Sequence, residues 1–163
     1  MTHEHLMQPL DHVRDVLERM LAATPREDWL HQPFPGANHV AWTLGHLAWT
    51  DDLVLGMVTG AGTGLPGGDA WAARFSWRTT PPSTAAELPP ADELVATLED
   101  RRAAFRRWFS SRPPAELDAA TPSELVGWCP VIGALPAAMA AHEGMHVGQI
   151  GLLRRCSGKD GLF

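Results

Sequence analysis

The stretch Met139-Ala140-Ala141-His142-Glu143-Gly144-Met145-His146-Val147-Gly148-Gln149-Ile150 decides the class of fold. Around it, Leu135, Met139, His142, His146, Gln149 and Leu153 recur at alternating spacings of four and three. That is the period of one stripe on an α-helix, and it extends over about 133–156 before Gly158 offers a stop. His142 and His146 therefore project from one face, one turn apart. Their neighbours on the stripe are apolar, so both imidazoles face inward.

The same period recurs upstream. Leu6, Leu10, Val13, Leu17 and Leu21 mark a first helix that ends at Thr24-Pro25. A second runs from Val40 to about Val58, with Asn38 offering an N-cap. It stacks Trp42, His46, Trp49 and Leu53 on one stripe. A third opens at Pro89-Pro90 and is stopped by Pro113-Pro114, with Leu94, Leu98, Phe105 and Trp108 or Phe109 inward. No strand-like alternation survives over five residues. Four helices in 163 residues predict an all-α fold, a four-helix bundle in a single domain spanning 1–163.

Between the second and third helices, over about 56–88, the chain is rich in glycine and proline: Gly56, Gly60, Gly62, Gly64, Gly67 and Gly68, with Pro66, Pro81 and Pro82. These residues disfavour continuous helix, so a long loop is expected with one short helix near 69–74. Trp71, Phe75 and Trp77 in this segment need cover and are candidates for a pocket lid or a dimer contact.

Composition narrows the function classes. Apolar residues make up 45% of the chain and charged residues 20%, a globular balance. The formal net charge of −6 weighs against nucleic acid and anionic membrane as partners. Arg101, Arg102, Arg106 and Arg107 read as a partly solvated helix face, with Arg101 or Arg102 free to pair with Asp51 or Asp52. Cys129 and Cys156 form no CxxC pair, and the first residues lack a signal-peptide layout, so a reduced, cytoplasmic setting is expected. No apolar run approaches the roughly 18 residues a bilayer span needs.

The chemistry converges on His46, His142 and His146. Three inward imidazoles must find partners for their ring nitrogens, and a divalent metal satisfies them while leaving positions open. Zinc or nickel suits such a set, and iron is a further candidate. Gln149 shares the stripe and is placed to bond a ligand or a bound water, or to serve as a core polar residue. Trp42 and Trp49 flank His46 and either line a pocket or pack the core. Arg101 is a candidate for binding a cosubstrate carboxylate. No catalytic group beyond these is identified. His142 to His146 also matches H-E-x-x-H, in which the glutamate of a metalloprotease is general base. The downstream ligand of that class is missing, because positions 149 and 152 are Gln149 and Leu152 and no glutamate follows. Glu143 points about 100° from His142, towards solvent or a neighbouring helix.

Two runs carry a family resemblance. Asn38-His39-Val40-Ala41-Trp42-Thr43-Leu44-Gly45-His46-Leu47-Ala48 resembles the second-helix signature of the DinB-like (damage-inducible, YfiT-type) superfamily. The run from His142 to Ile150, with Leu153-Arg154-Arg155, resembles its fourth-helix signature. The resemblance implies an up-down-down-up bundle, usually a homodimer, with His46, His142 and His146 as metal ligands. It also implies a metal-dependent enzyme that activates a low-molecular-weight thiol, in the manner of an S-transferase, or water, towards a small electrophilic substrate. The alternative is a non-enzymatic metal-binding or stress-response module, and a minor one an HExxH-type metallohydrolase. Since no cysteine lies on the histidine stripe, a reacting thiol would come from a cosubstrate.

Overall fold

The computed structural model describes residues 2–162. Four long helices dominate: α1 (His3–Ala22), α2 (Val40–Thr59), α4 (Ala91–Ser110) and α6 (Leu135–Cys156). Two short ones, α3 (Asp69–Phe75) and α5 (Ser123–Val126), lie in the connections. No strand is formed among the described residues; Ala120 and Val131 make one isolated bridge.

The helix ends follow local chemistry, with one departure from the expectation. α2 is capped by His39 rather than Asn38: the His39 imidazole accepts from the Trp42 N–H at 3.1 Å through Nδ1. Its Nε2–H donates to the Pro82 carbonyl at 2.8 Å, so one ring caps α2 and pins the incoming chain. Asn38 is left to reach α6. At the other end, Gly60 adopts φ +67°, the left-handed conformation glycine tolerates, and its N–H closes on Gly56.

Side-chain pairs fix the helix directions. Arg14 meets Glu143, Met20 lies over Gly151, and Ala23 meets Arg154, so α1 and α6 run parallel. Asp51 and Asp52 meet Arg102 and Arg101, and the lower-numbered halves of α2 and α4 share one core while their later halves share another, so these two are parallel as well. The two pairs oppose each other, giving up-down-down-up. This order explains the long glycine-rich segment. Parallel neighbours of 20 residues, roughly 30 Å, need a connection that returns along the whole bundle.

The core has two apolar halves. One gathers Leu17, Met20, Leu44, Leu47, Leu94, Leu98 and Ile150; the other gathers Met7, Leu10, Val54, Phe105, Phe109, Leu135 and Met139. A charged layer separates them. Arg102 donates to Asp51 at 2.8 and 3.2 Å and to Glu143 at 2.6 Å, and Arg14 donates to Glu143 at 2.8 and 3.1 Å. Each long helix contributes one member. Arg102 and Glu143 are thus buried. Arg102 makes the expected pair with Asp51 but does not lie on a partly solvated face. Of the two expectations for Glu143, it is the neighbouring helices, not solvent, that it meets. Arg106, by contrast, pairs with Asp11 at the surface.

α2 departs from a simple stripe: every residue from Val40 to Trp49 is buried. It is enclosed by α4, by α6 and by the return segment carrying α3, as expected for a helix apolar on all sides. Trp71 and Phe75 are core residues of that packing, which withdraws them as lid or dimer contacts; Trp77 alone of the three remains exposed.

Candidate metal centre

Gly45 opens the way to the site. A Cβ at this position would fall within 3.0 Å of three ring atoms of Phe75, so only glycine lets α3 lie this close to α2. The Trp71 indole N–H donates to the Gly45 carbonyl at 3.0 Å and clamps the contact. The Phe75 carbonyl is thereby delivered to His46 Nδ1 at 2.8 Å. A carbonyl only accepts, so Nδ1 carries the proton and Nε2 presents its lone pair.

His146 is set in the same way from α6. Its Nδ1 lies 2.9 Å from Gln149 Oε1, the oxygen that also accepts from Asn38 Nδ2 at 3.4 Å. Again Nε2 is left with the lone pair. The two Nε2 atoms converge on His142 Nε2, at 3.3 Å from His46 and 3.2 Å from His146.

One proton on His142 cannot satisfy both lone pairs. A cation satisfies all three nitrogens at once, and the spacing fits it: ligands at the usual Zn–N distance of about 2.0–2.1 Å in a tetrahedron stand roughly 3.3 Å apart. Among the described residues, His46, His142 and His146 form the cluster of histidine, cysteine and carboxylate groups able to hold a metal ion.

Electrostatics favours the neutral, ligating form of each ring. Burial, followed by the neighbouring His46, pushes His142 down to about 4. Burial, followed by His142 and His46, does the same to His146. His46 is also lowered, by burial against the opposing bond to Phe75.

The sequence profile of the DinB superfamily matches residues 9–150. The chain belongs to the DinB superfamily. Among solved structures, a conserved protein from Enterococcus faecalis is similar over 98% of this chain and 99% of its own, with a TM-score of 0.75 and 19% identity. That likeness is one of fold. No curated protein matches the chain.

In this DinB-superfamily chain, aromatic rings hold the centre on the α2 side. Trp42 stacks on His46 with centroids 4.8 Å apart and planes 9° from parallel, and its indole N–H is tied to the Arg74 carbonyl and Thr79. Trp49 stacks on His46 from the other direction at 5.6 Å. Trp42 is core, whereas Trp49 also faces a cavity.

That cavity, of about 280 Å³, is bounded by His46 and His142 on one side and by Trp49, Leu53, Met57, Trp77, Leu125 and Trp128 elsewhere. Thr50 and Glu124 are the polar side chains on its wall besides the histidines. The α5 contribution was not legible in the sequence, because a four-residue helix carries no periodicity.

The other singled-out residues lie elsewhere. Arg101 is engaged by Asp52 and Asp100, and packs where Gly64 leaves room for its guanidinium. Glu143 is turned into the charged layer. Burial raises its pKa, but Arg102 and Arg14 outweigh that and hold the carboxyl below its usual range. It is therefore an ionised structural anion facing away from the histidine nitrogens. Cys129 is buried, its thiol donating to the Val131 carbonyl, and Cys156 lies exposed at the end of α6. No helix among the described residues is long and apolar enough to cross a membrane.

Proposed function

We propose that this chain binds a divalent metal through His46, His142 and His146 and uses it to activate a low-molecular-weight thiol, or water, towards a small electrophile. The observation that carries the reading is the convergence of three Nε2 atoms, two of them locked by Nδ1–H bonds, beside a cavity large enough for a small molecule. Zinc or nickel suits the three imidazoles, and iron is a further candidate.

A bound divalent ion lowers the pKa of a thiol or water on it, which provides a nucleophile near neutral pH. The protein's part is positional. Phe75 and Gln149 fix the ring tautomers, Trp42 and Trp49 stack on the His46 ring, and Leu53, Met57 and Leu125 give the cavity an apolar wall for the substrate. The thiol comes from a cosubstrate, since neither cysteine lines the cavity. We read the protein as a cytoplasmic homodimer acting on a small molecule.

A protease-like reaction with Glu143 as general base is disfavoured, because that carboxylate is committed to Arg14 and Arg102. A non-enzymatic module draws support from the shortage of acid–base groups on the cavity wall. Elemental analysis of untagged protein, followed by turnover assays with several low-molecular-weight thiols and monochlorobimane, separates the readings. One metal per chain with thiol-dependent turnover supports the enzyme; one metal without turnover supports the module; no bound metal overturns both.

A further inference from the structure

The cavity beside the histidines is chemically lopsided. Three tryptophans line it: Trp49, Trp77 and Trp128. Trp49 and Trp77 meet edge to face, with centroids 5.3 Å apart and planes at 88°. Trp77 and Trp128 are left 67% and 42% exposed, an unusual state for two large rings on one rim.

Charge on the same wall has one sign. Among the described residues, Glu124 lines the cavity and no lysine or arginine does. The Glu124 carboxylate accepts from Ser123 Oγ at 2.9 Å. Its own backbone N–H, followed by that hydroxyl, holds its pKa below the usual range, so it is ionised at neutral pH.

Indole faces carry negative electrostatic potential and attract cations, most strongly where water is excluded. Three indoles with one carboxylate and no lysine or arginine complement a positive ligand with a flat apolar body. A divalent ion at His46 and His142 would add positive charge to the same wall, so the ligand's charged head belongs at the Glu124 end. In the metal-free chain an anion of the same shape would meet the carboxylate and the ring faces, with Thr50 as the available hydroxyl donor.

We propose that this cavity selects a compact organic cation, of the arylalkylamine or aryl-ammonium class, its body against Trp49 and Trp77 and its head towards Trp128 and Glu124. The inference deepens the proposed function, on which it rests for the ligand's role as substrate; the binding step itself needs no metal.

The test uses three probes of matched shape, 3-phenylpropylamine, 3-phenylpropanol and 3-phenylpropionate, titrated calorimetrically into metal-free and zinc-loaded protein. In metal-free protein the amine should bind about tenfold tighter than the alcohol, with the carboxylate weakest. Glu124→Gln should erase the amine's advantage and leave alcohol binding within about twofold. Trp77→Ala should weaken amine and alcohol alike. Both side chains are exposed, and circular dichroism confirms that the variants fold. Carboxylate binding as tight as the amine, an amine advantage that survives Glu124→Gln, or no binding of any probe would each overturn the proposal. Failure of the metal reading is distinct: the amine preference would persist in a protein that takes up no zinc.

Discussion

Arg102 of α4 donates to Glu143 of α6 at 2.6 Å, and its acceptor is the residue next to His142. Because Glu143 also binds Arg14, and Arg102 also binds Asp51, the contact ties all four long helices at one level. The glutamate on one side of α6 sets the rotation that turns His142 and His146 towards α2. An apolar replacement of the whole layer would hold the bundle together as well, but would leave that rotation less defined.

Removing Glu143 alone leaves two guanidinium groups without their shared anion. Glu143→Ala should therefore cost about 3–5 kcal/mol, the usual penalty for breaking a buried ion pair from one side. Urea unfolding followed by circular dichroism gives the value. A cost below about 1 kcal/mol would show that water reaches the layer and that the network is not structural.

Metal affinity should separate ligands from the groups that orient them. His46→Ala removes one of three donors and should abolish stoichiometric zinc binding at micromolar protein. Gln149→Leu leaves all three Nε2 atoms but frees the His146 ring, and should weaken zinc by about 10–100-fold. Competition with a chromophoric chelator measures both. Equal affinities for Gln149→Leu and the parent chain would remove Gln149 from the site.

Gly45→Ala probes the approach of α3. The added methyl cannot coexist with the Phe75 ring, so α3 must move and carry the Phe75 carbonyl off His46. Stability should fall by about 1–3 kcal/mol, as for an overpacked core, and zinc affinity should fall with it. Retention of full affinity would mean that the His46 tautomer does not depend on that carbonyl.

Acid should destabilise the metal-free protein through the same histidines. His142 and His146 are lowered from 6.5 to about 4 in the folded chain. Protons thus bind the unfolded state more readily, and stability present above pH 6.5 is lost as the pH falls towards 4. The urea midpoint of metal-free protein should drop across that window, and a His142→Leu/His146→Leu double variant should show a flatter profile. Equal slopes would assign the loss to carboxylates instead.

The positions of the three candidate ligands were legible because helical period is a local property. A spacing of four puts His142 and His146 on one face whatever surrounds them. The mid-stripe place of His46 marked the partner helix in the same way. The interior of α2 was less legible: its stripe is real, but the return segment buries the opposite face too. Asn38 was a sound cap by residue type, yet His39 took that role because its second nitrogen could also meet the Pro82 carbonyl.

By itself the sequence determined four helices, their apolar faces and the three histidines that the fold brings together as a candidate metal site, since each depends on residues within a few turns. It also determined that a long segment must join α2 to α4. Tertiary structure decided what that segment does: bring the Phe75 carbonyl to His46 across 29 positions. It decided that Glu143 faces Arg14, 129 positions away, rather than solvent. It assembled the cavity from α2, α5 and α6, with Trp77 and Trp128 drawn from connections that carry no period. Hydrogen bonds and charges choose partners by distance in space, and that distance exists only once the helices have packed.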